Sequence, residues 1–233
     1  MNYFALIFAN VFCLEKAAHH RLLKRHAAAL TGKLLDAGCG HKPYAYLIPC
    51  REYIGMEMNP KNPEDVNGSL LDIPFPAATF DSAMCLEVLE HVPAPAKGAA
   101  ELFRVLKPGG HLYATVPQMW YNHYEPYDFQ RFTNFGLKLL LEQAGFEILQ
   151  MERTGGFWRF LFVRTTETTY RILRVVLFPL AVHNRTRNAV CRFLCGPLNL
   201  LGLLLVPLLD CFSKRDHLGW VVLVRKPQTA VQP

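Results

Sequence analysis

Residues 34 to 40 read Leu-Leu-Asp-Ala-Gly-Cys-Gly, and this stretch decides the fold. Two apolar residues run into an acid and then a Gly-x-Gly turn, the pattern of a buried strand ending where backbone can approach a ligand closely. Twenty-one residues beyond Asp36, after a second apolar run (Tyr53-Ile54-Gly55-Met56), stands Glu57. An acid at that offset can take both hydroxyls of a ribose, so the ligand expected is a nucleoside. The turn continues His41-Lys42-Pro43, with Pro43 where a dinucleotide fingerprint has its third glycine. That argues against a pyrophosphate on the helix N-terminus, and so against NAD or FAD.

The rest of the chain supplies the setting of a parallel sheet. Strands are expected at 33–36, 53–57, 81–86, 111–116 and 146–151. The link after the second strand is rich in Pro and Asn, which leaves little room for a helix. Pro93 and Pro95 suit the first turn of a helix that Lys107-Pro108-Gly109-Gly110 stops. Thr133 should cap a helix that Gly145 ends. A last strand lies within His217–Arg225, over Trp220-Val221-Val222-Leu223-Val224.

The blocks SLLDIPFPAATFDSAMCLEVLEHV (69–92) and ELFRVLKPGGHLYATVP (101–117), with LLDAGCG and YIGMEMN in this order and spacing, resemble class I S-adenosylmethionine-dependent methyltransferases of the broad type 11 group. The resemblance covers about residues 30–150. Within that group, GCGHKPY followed by HYEPYDFQRFTNFGLKLLLEQAGF looks like the methyltransferases of bacterial cell-surface glycan and lipid gene clusters. It implies an α/β fold, a Rossmann-like seven-stranded sheet whose last strand is antiparallel and lies beside strand six. Residues 157–213 are then a hydrophobic helical insertion between the last two strands. The expected organisation is an N-terminal helical segment (1–30), a methyltransferase domain (31–156 and 214–226), the insertion, and a frayed tail (227–233).

The resemblance also implies the cofactor, S-adenosyl-L-methionine, and its contacts. Asp36 orders the turn and the cofactor's ammonium, partly through water. Gly38 and Gly40 let backbone meet the methionine moiety, Glu57 takes the ribose, and Leu86 and Glu87 end a strand beside the methyl group. Relatives usually read Gly-Asp-x-x-x-Leu-Pro-Phe, with that Asp on the adenine amine. Here Ser69 stands in the Asp slot, with the backbone of Leu70 beside it and Asp72 three residues along. His91 is expected to shape its loop rather than to catalyse.

The acceptor side falls to residues 117–131, after the fifth strand at the carboxyl edge of the sheet. Tyr121, Tyr124, Glu125, Asp128 and Arg131 furnish a polar loop, and Asp128 with Arg131 reads as a pair closing it. His123 is the candidate base for a hydroxyl acceptor, because imidazole titrates near neutrality. Gln130 stands where relatives often carry an aromatic.

The chain has 233 residues, 51% hydrophobic and only 19% charged, with a net charge of +6. No dense Lys/Arg stripe interleaved with aromatics appears, so no nucleic-acid partner is expected. Seven cysteines without a CxxC pair suit a reducing compartment, and no metal is expected. The apolar residues at the N-terminus precede its basic ones, the reverse of a secretory signal. That segment reads as a helix on the sheet edge or as an interfacial anchor.

Phe193–Leu209 carries no charge, and Gly196, Pro197, Gly202 and Pro207 are expected to interrupt it. Upstream, Arg159, Arg164, Glu167, Arg171 and Arg174 share one helical face opposite Leu161, Phe162, Ile172, Leu173 and Val176. A basic amphipathic helix beside an apolar hairpin suits anionic lipid. The expectation is therefore an enzyme at the cytoplasmic face of a membrane, its acceptor a lipid-linked sugar, polyprenyl or other lipid. The rival readings are a soluble cytoplasmic enzyme whose insertion is a lid over a small molecule, and a cofactor-binding scaffold without catalysis.

Overall fold

The computed structural model describes residues 3–178, 183–213 and 215–228. Most of the expected tail, from residue 229 on, lies outside them. The chain divides into two compact units, one of residues 21–153 and 219–233, the other of residues 1–20 and 154–218.

The first unit holds a seven-stranded sheet in the order β3-β2-β1-β4-β5-β7-β6. Its strands are β1 (Lys33–Ala37), β2 (Glu52–Glu57), β3 (Val66–Asn67), β4 (Phe80–Leu86), β5 (Leu106–Pro117), β6 (Glu147–Arg153) and β7 (Gly219–Arg225). β1 pairs in parallel with β2 and β4, and Leu35 and Leu34 are buried in different apolar clusters, so both faces of the strand are covered. That is why the strand reads as a continuous apolar run. β7 pairs antiparallel with both β5 and β6, as the resemblance implies.

Helix α3 (Pro95–Val105) starts with proline in its first turn and buries Ala99, Leu102 and Val105. Lys107-Pro108-Gly109-Gly110 does end the helix, but its residues already belong to β5. Helix α4 (Asn134–Gln143) is capped by Thr133, whose hydroxyl accepts the Gly136 N–H, and Gly145 follows at φ +98°. Two apolar clusters fill this unit. One holds Leu35, Phe80, Leu102, Leu112 and Val222; the other holds Leu34, Met84, Tyr113 and Val221 with Leu22 and Leu23.

The second unit is helical: α1 (Tyr3–Ala9), the start of α2 (Cys13–His26), α5 (Phe157–Val176), α6 (Asn184–Leu194) and α7 (Gly196–Leu209). The N-terminal residues thus group with the insertion. Glycines let the helices approach closely: a Cβ on Gly196 would meet Phe8 at 2.1 Å, and one on Gly202 would meet Leu14 at 2.6 Å. Buried Asn199 donates to the carbonyls of Ile7 (2.7 Å) and Asn10 (2.9 Å), satisfying backbone at the end of α1.

One expectation for this segment changes. Gly202 and Pro207 do not break the charge-free run: α7 passes through both, because Gly202 serves packing. The polar face of α5 is divided between buried and exposed groups. Arg159 is buried, donating to the Leu14 carbonyl at 2.7 Å, and buried Glu167 binds both Arg164 and Arg171. Buried charge has to be paired, and here the pairing accommodates Arg159 and Glu167 inside the helical unit. Arg171 and Arg174 are exposed, as are Leu161, Ile172, Val175 and Val176.

Candidate functional site

At the carboxyl end of β1 the turn is held by its neighbour strand. The N–H groups of Gly38 and Cys39 both donate to the Met56 carbonyl, at 2.8 and 3.1 Å. Gly38 sits at φ +78°, and a Cβ there would meet the Val88 side chain at 2.4 Å, so the position is closed to other residues on two counts. Gly40, at φ +50°, differs: a Cβ there would meet nothing within 4 Å. Its N–H donates to Glu57 Oε2 at 3.0 Å, and Met58 N–H donates to Oε1 at 3.0 Å. The two glycines and the acid, far apart in sequence, thus form one hydrogen-bonded rim beside open space. Each carboxylate oxygen keeps lone-pair capacity for a ribose hydroxyl.

Asp36 lies behind this rim, buried, accepting a hydrogen bond from Tyr53 OH. Burial raises its carboxyl to about 6, against the opposing Tyr53 hydrogen bond and the charge of Lys42. Burial likewise lifts the Tyr53 phenol far above its ordinary value. Sequence reasoning passed over three further parts of this corner. Gly55 stands opposite Asp36 in the sheet, and a Cβ there would meet Asp65 Oδ1 at 2.5 Å. Lys42 forms an ion pair with buried Asp65. The apolar-glycine pattern of β2 was visible, but the pairing of Lys42 with Asp65 needs the fold.

Ser69 Oγ accepts the Leu71 N–H at 3.1 Å, and the Ser69 carbonyl accepts the Asp72 N–H at 3.1 Å. The serine organises a tight turn, and its hydroxyl hydrogen remains available to an acceptor. Leu70 is buried in the larger core cluster, where a Cβ on Gly98 would meet it at 3.1 Å. Asp72 is exposed. Leu86 ends β4, and Glu87 follows at φ +54° with its N–H on the Thr115 carbonyl (3.0 Å) and hydroxyl (3.1 Å).

The loop of residues 117–131 is clamped from within. Arg131 holds Asp128 with two bonds of 2.6 and 2.7 Å and donates to the carbonyls of Tyr121 (3.0 Å) and Trp120 (3.3 Å). The guanidinium keeps the Asp128 carboxyl well below the usual range. Asp128 also accepts the His123 N–H at 2.8 Å. His91 Nδ1 donates to the Tyr127 carbonyl at 2.7 Å, tying the short turn after β4 to the loop. The His91 and His123 rings meet edge to face, with centroids 4.7 Å apart. Tyr124 lies 5.4 Å from His91, and Tyr124 and Glu125 are exposed; Tyr121 stacks on Trp120. Beneath the histidines, Glu90 is fully buried, a residue that sequence reasoning left out. Burial first, and then the charge of Glu87, push its carboxyl well above the usual range.

A parallel sheet with an antiparallel β7, carrying a glycine turn after β1 and an acid at the end of β2, defines the class I methyltransferase fold. The chain belongs to the methyltransferase-domain family, which matches residues 9–151. It is 30% identical over 149 residues to a "Probable S-adenosylmethionine-dependent methyltransferase" of Mycolicibacterium smegmatis, covering 56% of this chain and 58% of that protein. It is 35% identical over 107 residues to a ubiquinone biosynthesis O-methyltransferase of Photobacterium profundum, covering 38% of this chain and 45% of the relative. The chain therefore spans about half the length of these relatives. Among solved structures, Burkholderia thailandensis 1,6-didemethyltoxoflavin-N1-methyltransferase, with its acceptor and S-adenosylhomocysteine bound, superposes with a TM-score of 0.55. At 18% identity, over 92% of this chain and 78% of that one, the likeness is one of fold.

Proposed function

We propose that the protein is an S-adenosylmethionine-dependent methyltransferase acting on a hydroxyl of an amphiphilic acceptor at a membrane face. The observation that carries the cofactor assignment is the rim made by Gly40 and Glu57 beside unfilled space, on a turn that only glycine at 38 permits. Glu57 would hold the ribose, the 38–40 backbone the methionine moiety, and buried Asp36 the ammonium. The cofactor supplies an activated methyl, so the protein's task is to position the acceptor in line and govern its proton. His123 is the side chain assigned to that proton, on a loop held in shape by Asp128 and Arg131.

The membrane reading is supported by the helical unit. On α7, Leu200, Leu201, Leu204, Leu205 and Leu208 are exposed along one stripe, while Asn199, Gly202 and Val206 are buried. Residues 184–209 form the one helical stretch among the described residues long and apolar enough to cross a membrane. An apolar stripe of this kind left in water invites association. An oxygen acceptor agrees with the O-methyltransferase among the relatives, and a lipid-linked sugar or polyprenyl with the likeness to cell-surface glycan and lipid clusters.

Calorimetry of the purified chain in detergent with S-adenosylmethionine tests the cofactor. Glu57→Ala should weaken binding by roughly 1.5–3 kcal/mol, the scale of hydrogen bonds to a charged group. Methyl transfer from labelled cofactor into a lipid extract tests the acceptor. Label appearing only in water-soluble products, from protein that stays monodisperse without detergent, would favour the lid reading. Binding without turnover would favour the scaffold.

A further inference from the structure

We propose that Glu90, His91 and His123 form a binding site for a divalent transition-metal ion at the acceptor side of the site. One ligand atom from each can be chosen so that all lie within 4.8 Å of one another. Ligands about 2.1 Å from a tetrahedral zinc stand about 3.4 Å apart, so small side-chain rotations close the set. Glu90 Oε1 and His91 Nε2 are already 3.8 Å apart, too far for a hydrogen bond and near the spacing that a shared ion imposes.

Three features distinguish this from a chance meeting of polar groups. First, the Glu90 side chain is fully buried, and neither oxygen has a hydrogen-bond partner among the described residues. A buried carboxylate left so is costly, and a cation beside it removes the cost. Second, both imidazoles are oriented through their other nitrogen. His91 Nδ1 faces the Tyr127 carbonyl at 2.7 Å, and His123 Nδ1 faces the Tyr121 carbonyl and Asp128 Oδ2, both at 3.3 Å. All three partners accept, so each Nδ1 carries a proton and each Nε2 is left with a lone pair. Metal-ligating histidines are held in this way. Third, the ligands are fixed by backbone: Phe129 N–H donates to the Glu90 carbonyl at 2.9 Å, joining the two segments that supply them.

One carboxylate and two imidazoles suit zinc, iron(II) or manganese(II) better than magnesium or calcium, and leave coordination positions open. The cluster lies in the turn directly after Leu86 and Glu87. Resting on the proposed transfer to oxygen, an acceptor hydroxyl held on the ion would be made more acidic by it, so that its proton passes more readily to water. Its oxygen attacks the methyl carbon, the carbon–sulfur bond breaks, and its electron pair returns to the sulfonium, leaving a neutral thioether. His123 then serves the acceptor's proton through the ion rather than by taking it.

The test uses the full chain in detergent, stripped with chelator, and manganese(II) as the probe because thiolates bind it poorly. Electron paramagnetic resonance reads the free ion. Loss of one equivalent of free signal is expected in the wild type. Glu90→Gln keeps the buried shape and His91→Asn keeps a donor toward the Tyr127 carbonyl, and each should weaken uptake at least tenfold. A free-ion signal unchanged by the wild type up to millimolar manganese, with cobalt(II) showing only thiolate bands, overturns the site. Uptake that both variants retain also overturns it. Wild-type uptake with methyl transfer unaffected by chelator overturns the catalytic role alone. Cofactor calorimetry on the chelated wild type is independent of the ion, so its failure indicts the methyltransferase reading instead.

Discussion

Asp36 is the carboxylate whose proposed hold on the cofactor should work against stability, and the conflict can be measured. Its carboxyl is raised from 3.8 to about 6, chiefly by burial. A group whose folded value exceeds its unfolded value binds more protons in the folded state between the two. Its contribution to stability is therefore fully present below about pH 4 and lost as the pH rises through about 6. At 1.36 kcal/mol per pH unit the shift corresponds to about 3 kcal/mol. Asp36→Asn removes this titration while its amide oxygen can still accept from Tyr53. Any cost of the amide itself is independent of pH and cancels in the comparison. The stability of the variant relative to wild type should rise by about 3 kcal/mol between about pH 3.5 and pH 7.5. Urea unfolding followed by the fluorescence of Trp120 and Trp220, in a Trp158→Phe background, reads the sheet unit. The same variant should bind S-adenosylmethionine more weakly at pH 7.5, because the ammonium loses its partner. A pH-independent difference would mean that Asp36 is not desolvated as the fold implies. Gain of stability without loss of affinity would remove Asp36 from the cofactor site.

Gly38→Ala should abolish cofactor binding and destabilise the sheet unit by more than about 1 kcal/mol, since a Cβ at φ +78° meets Val88; calorimetry and urea midpoints check both. Asp128→Asn should open the 117–131 loop, because Arg131 loses its charged partner; limited proteolysis at neutral pH should cut the variant within the loop and spare the wild type. The folded Asp128 carboxyl lies below its unfolded value, so its support is present above the ordinary carboxylate range and lost as acid approaches the folded value. The wild-type loop should therefore become protease-sensitive in acid. Because Arg171 and Arg174 are exposed on α5 while α7 carries an exposed apolar stripe, molar salt should release part of the protein from anionic vesicles and leave the rest bound; release of all of it would leave the apolar stripe no share in the attraction. Since residues 1–20 group with 154–218, a soluble, cofactor-binding core should require removing the N-terminal residues as well as the insertion; solubility on excising 157–213 alone would refute that grouping.

The sequence by itself determined the sheet and the glycine turn after β1. Leu34-Leu35 is apolar on both faces because parallel strands are covered on both sides, and the Gly38 turn is legible because few residues other than glycine tolerate its backbone. Thr133 and Gly145 marked helix α4 through equally local rules of capping. Such features depend on neighbours in sequence or on fixed offsets. What only the tertiary structure decided depends on contacts between distant residues. A polar face on α5 looks the same whether it meets water or other helices; the fold buries Arg159 and Glu167 and leaves Arg171 and Arg174 exposed. Gly202 reads as a helix breaker in isolation and is a packing contact for Leu14 in the fold. Glu90 and His91 stand 32 or more residues before His123 with no spacing rule to join them. Strand β4 and the 117–131 loop bring the three together, and whether they bind an ion depends on a buried carboxylate that no sequence pattern shows to be unpartnered.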